Sequence, residues 1–192
     1  MPTYKLFTDY ARFIPEHFDY RGGQPMYRDQ HFYLVSPELK VVHREGDYLY
    51  LKTTNSQFLD LIKLIDNLSL CFFQEQHEPQ TTSQGFRQLE LFKPSLRLNV
   101  NTAEFQLFRV QLDRLGGKVV TKIFDDQGEQ VSTDQMIEPG FRCRILVQPQ
   151  PIVDLSRGVA WRLEQIRLNL PDNYFSTCLI EDCQETITLN DL

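Results

Sequence analysis

Cysteine is scarce. Four thiols, Cys71, Cys143, Cys178 and Cys183, stand in 192 residues without a CxxC pair. The four histidines do not combine with them in the close Cys/His spacing of a zinc site, so neither a metal centre nor a disulfide framework is expected. Buried thiols in a reducing compartment are the reading. No apolar run approaches the ~18–20 residues that span a bilayer. The first residues, MPTYKLFTDYARFIPEHFDYRGG, mix acids and aromatics where a signal peptide carries an apolar block. An intracellular protein with no membrane association is expected, in the cytoplasm or nucleus.

Catalytic signatures are also missing. There is no HExxH, GxSxG or GxGxxG. RLGGKVVT contains GGK but lacks the Walker spacing, and reads as the start of a strand. The acids of DDQGEQ fit a solvated turn better than a cation site. No catalytic residue, metal ligand or cofactor is assigned, and the expectation is a protein that is not an enzyme. Lys and Arg vanish late in the chain. Residues 1–84 hold eight basic and eleven acidic side chains, residues 85–170 twelve and ten, and residues 171–192 none and five. The overall charge of −6 thus conceals a mildly basic stretch followed by an acidic end.

A hydrophobic content of 41% suits a folded core, and its spacing divides the chain. Residues 1–30, rich in Tyr, Phe, Gly and Pro, read as an irregular N-terminal arm. HFYLVSPEL offers a short strand before Pro37. KVVHREGDYLYLKT reads as a hairpin around Glu45-Gly46-Asp47, with Tyr48, Tyr50 and Lys52 alternating against Leu49 and Leu51. Phe58, Leu61, Ile62, Ile65, Leu68 and Phe72 then fall at helical spacing, predicting a helix near 55–75 with Thr54 or Asn55 as N-cap. HEPQTTSQG, residues 77–85, is a polar loop.

Beyond that loop period two dominates. FQLFRVQL sets Phe108, Val110 and Leu112 against Phe105, Leu107, Arg109 and Gln111. KIFDDQGEQV turns at Asp125–Gly128. GFRCRILVQ sets Phe141, Cys143, Ile145 and Val147 against Arg142, Arg144 and Leu146. In DLSRGVAWRLEQIRLNL, Val159, Trp161 and Leu163 share one face, the phase slips, and Ile166, Leu168 and Leu170 continue it. One extra residue near Glu164–Gln165, a β-bulge, produces that slip. A helix also fits Val159, Leu163, Ile166 and Leu170, and that alternative stays open. The phase of Trp161 places it in the core, with a stacking platform as the alternative. The spacing predicts a mainly β (α+β) domain over 31–170, an antiparallel barrel or sandwich with one inserted helix, followed by an acidic segment at 171–192.

On the strand reading Phe105, Arg109, Lys118, Lys122, Phe124, Arg142, Arg144, Arg162 and Arg167 all leave the core on the opposite face. Cations that track phosphates and rings on which bases stack are what a single-strand binder needs. An ordinary solvated sheet face accounts for the same pattern without a ligand.

SRGVAWRLEQIRL resembles the terminal Gly-Val-x-x-x-Leu-x-x-(Val/Ile) strand of single-stranded-DNA-binding proteins of phages and large eukaryotic DNA viruses, on Gly158, Val159, Leu163 and Ile166. The upstream order, FLDLIKLIDNL, then LFKPSLRL, then EPGFRCRILVQ, is similar as well, over roughly residues 55–170. The resemblance implies an OB-like antiparallel Greek-key barrel of five strands with one inserted helix and a cationic cleft, and an acidic tail that recruits replication proteins; Glu181, Asp182, Glu185 and Asp191 would serve there. The expected function is non-catalytic binding of single-stranded nucleic acid, DNA more than RNA, in viral or phage-type replication or recombination, with homo-oligomers possible. Alternatives are a virion structural or scaffold protein, and an enzyme accessory subunit.

Overall fold

The structure, a computed structural model, describes residues 4–76, 92–98, 106–131, 137–151 and 158–169. Its centre is the hairpin read from KVVHREGDYLYLKT. Strand β5 (Leu39–Glu45) turns at Gly46 into β6 (Tyr48–Lys52), so that Leu49 and Leu51 are fully buried while Tyr48, Tyr50 and Lys52 face outward. Three further strands complete a ring: β8 (Gln106–Leu112), β13 (Arg142–Pro149) and β14 (Trp161–Asn169). The hydrogen-bonded order runs β5–β6–β8–β14–β13 and closes back on β5. All contacts are antiparallel except β8 with β14, which is parallel. Three strands in a meander, a fourth closing on the first and a fifth inserted between third and fourth make this an OB-type barrel.

The period-two readings hold inside the ring. Phe108, Val110, Leu112, Cys143, Ile145 and Val147 are each at most 2% exposed. In β14 the register passes from Gln165 opposite Leu146 to Leu163 opposite Val147, which leaves Glu164 as the extra residue. That bulge keeps Trp161, Leu163, Ile166 and Leu168 all buried, and it excludes the helical alternative for this segment.

Helix α1 (Ser56–Gln76) connects β6 towards the third barrel strand. Its N-cap is Asn55, whose Oδ1 accepts from the Phe58 backbone N–H at 2.9 Å. Phe58, Leu61, Ile62 and Ile65 form its buried stripe, and the Phe58 ring meets Phe108 edge to face at 5.5 Å. None of the described helices is long and apolar enough to cross a membrane.

A seam of polar groups lies where α1, the short strand β7 (Leu96–Leu98) and β14 meet. The Trp161 indole N–H donates to Ser95 Oγ at 2.7 Å, and Ser95 in turn donates through Oγ and its backbone N–H to Asp66 at 2.6 and 2.7 Å. Asp66 and Ser95 are each 3% exposed. Burial raises the Asp66 pKa to about 6, against the opposing pull of the two Ser95 hydrogen bonds and of Arg97. Beside this seam Gly158 has φ +65°, and a Cβ there would stand 1.8 Å from the Lys93 carbonyl oxygen.

Residues 4–27 depart from the irregular arm expected. They contain β1 (Tyr4–Phe7), β2 (Phe18–Arg21), β3 (Gln24–Tyr27) and two 3-10 turns, and β1 runs parallel to β4 (His31–Val35), itself paired with β13. The cause is a cluster of rings. Phe7 stands 4.8 Å from Tyr27 and 5.4 Å from Phe13, all three are buried, and Phe32 packs on them. The remaining short strands are β9 (Arg114–Leu115), β10 (Lys118–Val119), β11 (Lys122–Phe124) and β12 (Gln130–Val131). The turn joining β11 to β12 has Asp125 accepting from the Gln127 and Glu129 backbone N–H groups, the turn-forming role read from DDQGEQ.

Candidate functional site

Outward positions on the barrel gather on two walls. The first spans β5, β6, β8 and β7, and the register lays its side chains out in rows. One row reads His43, Tyr50, Arg109; the next reads Glu45, Tyr48, Gln111; and Lys52, Leu107 and Arg97 form a third. His43 stacks on Tyr50 with centroids 4.1 Å apart, and the Arg109 guanidinium lies 4.9 Å over the Tyr48 ring. Tyr50 Oη donates to Glu45 at 3.1 Å. Burial and that carboxylate both raise the Tyr50 pKa, so the phenol stays neutral. Burial and the like charge of Arg109, two residues along β8 from the Arg97 register partner Leu107, lower the Arg97 pKa.

The second wall is built by β1, β4, β13, β14 and β11, neighbours in that order. Here Arg144, Arg167 and Phe124 form one row, and Val35, Leu146, Gln165 and Lys122 the next. Together with Tyr4, Leu6 and Tyr33 they line an open groove of about 670 Å³. Arg167 also donates to the Asp126 carbonyl.

The nine positions read from the sequence therefore divide. Lys122, Phe124, Arg144 and Arg167 come together in the groove. Arg109 stands on the other wall. Arg142 pairs with Glu38 at 2.7 Å, and Arg162 is held by Glu164 at 2.6 Å and Gln148 at 2.7 Å. Lys118 belongs to the small β9–β10 hairpin, whose turn is Gly116-Gly117; this is where GGK falls. Phe105 and the tail positions Glu181, Asp182, Glu185 and Asp191 lie outside the described residues.

His43, Tyr48, Tyr50, Lys52 and Arg97 were not singled out by reading the sequence. The signal was present in the alternation of Tyr48, Tyr50 and Lys52 with Leu49 and Leu51. Residues 1–84, which hold His43, Tyr48, Tyr50 and Lys52, are net acidic, and Arg97 joins them only through the pairing of β7 with β8.

No protein-family model matches the chain, and no curated protein matches it in sequence. Among solved structures the chain is similar to the single-stranded DNA-binding protein from bacteriophage Enc34. A C-terminal truncation of that protein gives a TM-score of 0.49 at 9% identity, over 84% of this chain and 98% of that one. A second structure of it gives 0.48 at 8%, over 83% and 93%. The single-stranded DNA binding protein gp2.5 encoded by bacteriophage T7 gives 0.48 at 11%, over 76% and 96%. The connectivity of the barrel itself makes it OB-type.

Proposed function

We propose that the protein binds single-stranded DNA without catalysis, along the wall formed by β6 and β8. The observation that carries this reading is the row His43, Tyr50, Arg109 flanked by Tyr48, Arg97 and Lys52. OB barrels hold oligonucleotides across their second and third strands, here β6 and β8. Rings on that surface offer faces for bases, and the cations beside them neutralise phosphates. In this reading the protein supports viral or phage-type DNA replication or recombination, and the acidic segment with Glu181, Asp182, Glu185 and Asp191 contacts replication proteins.

The test is fluorescence anisotropy with labelled oligo(dT) at two salt concentrations, beside a duplex of equal length. Binding of the single strand in preference to the duplex is expected. Arg109→Ala should reduce the slope of log K against log salt by about 0.7, the share of one phosphate contact on a single strand. Tyr50→Ala should weaken binding by roughly 1–3 kcal/mol if one base stacks there. Salt-insensitive behaviour with stoichiometric assembly onto protein partners would instead support a structural or scaffold role.

A further inference from the structure

We infer that the groove holding Arg144, Arg167, Lys122 and Phe124 takes a second stretch of the same strand, so that a bound polynucleotide passes around the barrel instead of crossing one wall. This rests on the single-strand reading above and extends it to a surface that the usual β6–β8 path does not include.

The ring order supplies the geometry. In the cycle β5–β6–β8–β14–β13, the strand β6 stands opposite the junction of β14 and β13. The ring-and-cation wall is centred on β6, and the groove is centred on that junction. The two surfaces are therefore back to back across the barrel.

Charge supplies the reason for a ligand. Arg144 and Arg167 are directly opposite each other in the antiparallel register, both outward and exposed. Like charges in that position destabilise a strand pair. Among the described residues no carboxylate forms an ion pair with Arg144, Arg167 or Lys122. The contrast lies one step along the same strand. Arg142, on the same side of β13, faces Asn169 and has Glu38 bound to both. The sheet neutralises one arginine of the pair and leaves the other facing a second cation. A polyanion lying in the groove removes that repulsion, and the Phe124 ring opposite Arg167 provides a face for a base.

A bridge joins the walls. The register carries an outward row from Tyr48 to Gln111, then to Arg162 on β14 and Gln148 on β13. Arg162 is half-buried, fixed by Glu164 and Gln148, and stands between the two surfaces. A strand leaving Tyr48 passes this guanidinium, whose charge Glu164 already balances, and then reaches Lys122 and Arg167. Glu164, the one carboxylate lining the groove among the described residues, is thereby taken up by Arg162.

The experiment compares oligo(dT) of about 4 and about 16 nucleotides, the range of lengths that one OB fold occupies. The full chain carries either the double change Arg144→Ala with Arg167→Ala or Arg109→Ala. Both groove arginines are exposed, and a thermal melt confirms that the double variant is folded. With the long oligomer the double variant should lower the salt slope by about 1.4, two contacts at about 0.7 each. With the short one its slope should match the unaltered protein, whereas Arg109→Ala should lower both slopes. A double variant that changes both lengths alike, or neither, overturns the wrapped path while leaving the β6–β8 reading intact. If neither slope moves but poly-glutamate binding is lost in the double variant, the groove belongs to an acidic polypeptide and the inference is wrong. If the unaltered protein binds neither oligomer, both readings fall together.

Discussion

The two sides of β14 are built on opposite principles. Inward, a chain of hydrogen bonds anchors Trp161: the indole donates to Ser95, Ser95 donates to Asp66, and Thr121 donates to the Leu163 carbonyl at 2.7 Å. Even the space is fully committed, since Gly158 touches the Lys93 backbone. Outward, the same strand carries Arg167 directly facing Arg144, with no carboxylate in an ion pair with either among the described residues. The inner side specifies one structure through satisfied hydrogen bonds and close packing. The outer side tolerates uncompensated charge because water, or a ligand, can solvate it. Inner changes should therefore act on folding, and outer changes on binding.

The strongest way to break that division is Gly158→Ala. A methyl 1.8 Å from a carbonyl oxygen cannot fit without moving backbone, and the left-handed φ adds strain. A loss of at least about 3 kcal/mol is expected, roughly 6–12 °C in Tm for a chain of this length. Gly46→Ala is the control: its φ is +57° but nothing lies within 4 Å, so only the conformational strain of about 1–2 kcal/mol applies. Equal effects at the two glycines would show that the Lys93 contact does not matter.

Acid–base behaviour sharpens the comparison next. The folded state holds the Asp66 proton up to a pKa of about 6, while an unfolded aspartate releases it near 3.9. Between those values the native state binds the extra proton, so stability should fall as pH rises from about 4 to about 6 and level off above. The contribution is on the order of 2–3 kcal/mol. Urea midpoints across that window measure it, and Asp66→Asn should flatten this part of the curve. An unchanged curve would remove Asp66 as its source.

The smallest effect is expected outside. Arg142→Ala should shift Tm little, because an exposed ion pair contributes at most about 1 kcal/mol. It should also change the salt slope of oligonucleotide binding less than Arg144→Ala does, because Glu38 already neutralises Arg142. A larger effect at Arg142 would reverse the ranking drawn from the register.

Much of the barrel was legible because strand parity is a local property. Leu49 and Leu51, Cys143 to Val147, and even the slip at Glu164 could be read residue by residue. Helix α1 was legible for the same reason at a different period. Residues 4–27 were not, since strands of four residues show no period and their burial depends on rings that meet only in three dimensions, such as Phe7 with Tyr27. The site was half legible. Parity showed that Arg109 and Lys122 both leave the core, but strand order alone decides which wall each joins. A parallel contact between β8 and β14 and a closure of β13 on β5 are long-range facts, and they separate residues that look equivalent along the chain.

Closing the ring has a consequence for how closely copies of the chain can crowd together. Strands with an unpaired side invite neighbouring molecules to zip on by backbone hydrogen bonds. In the large sheet, the described strands that keep such a side are β1, β12 and β7, with four, two and three residues. Each of the five barrel strands has a partner on both flanks, with β5 meeting β13 at Leu39 and Lys40. Copies packed shoulder to shoulder would thus find little template for sheet-to-sheet growth among the described strands.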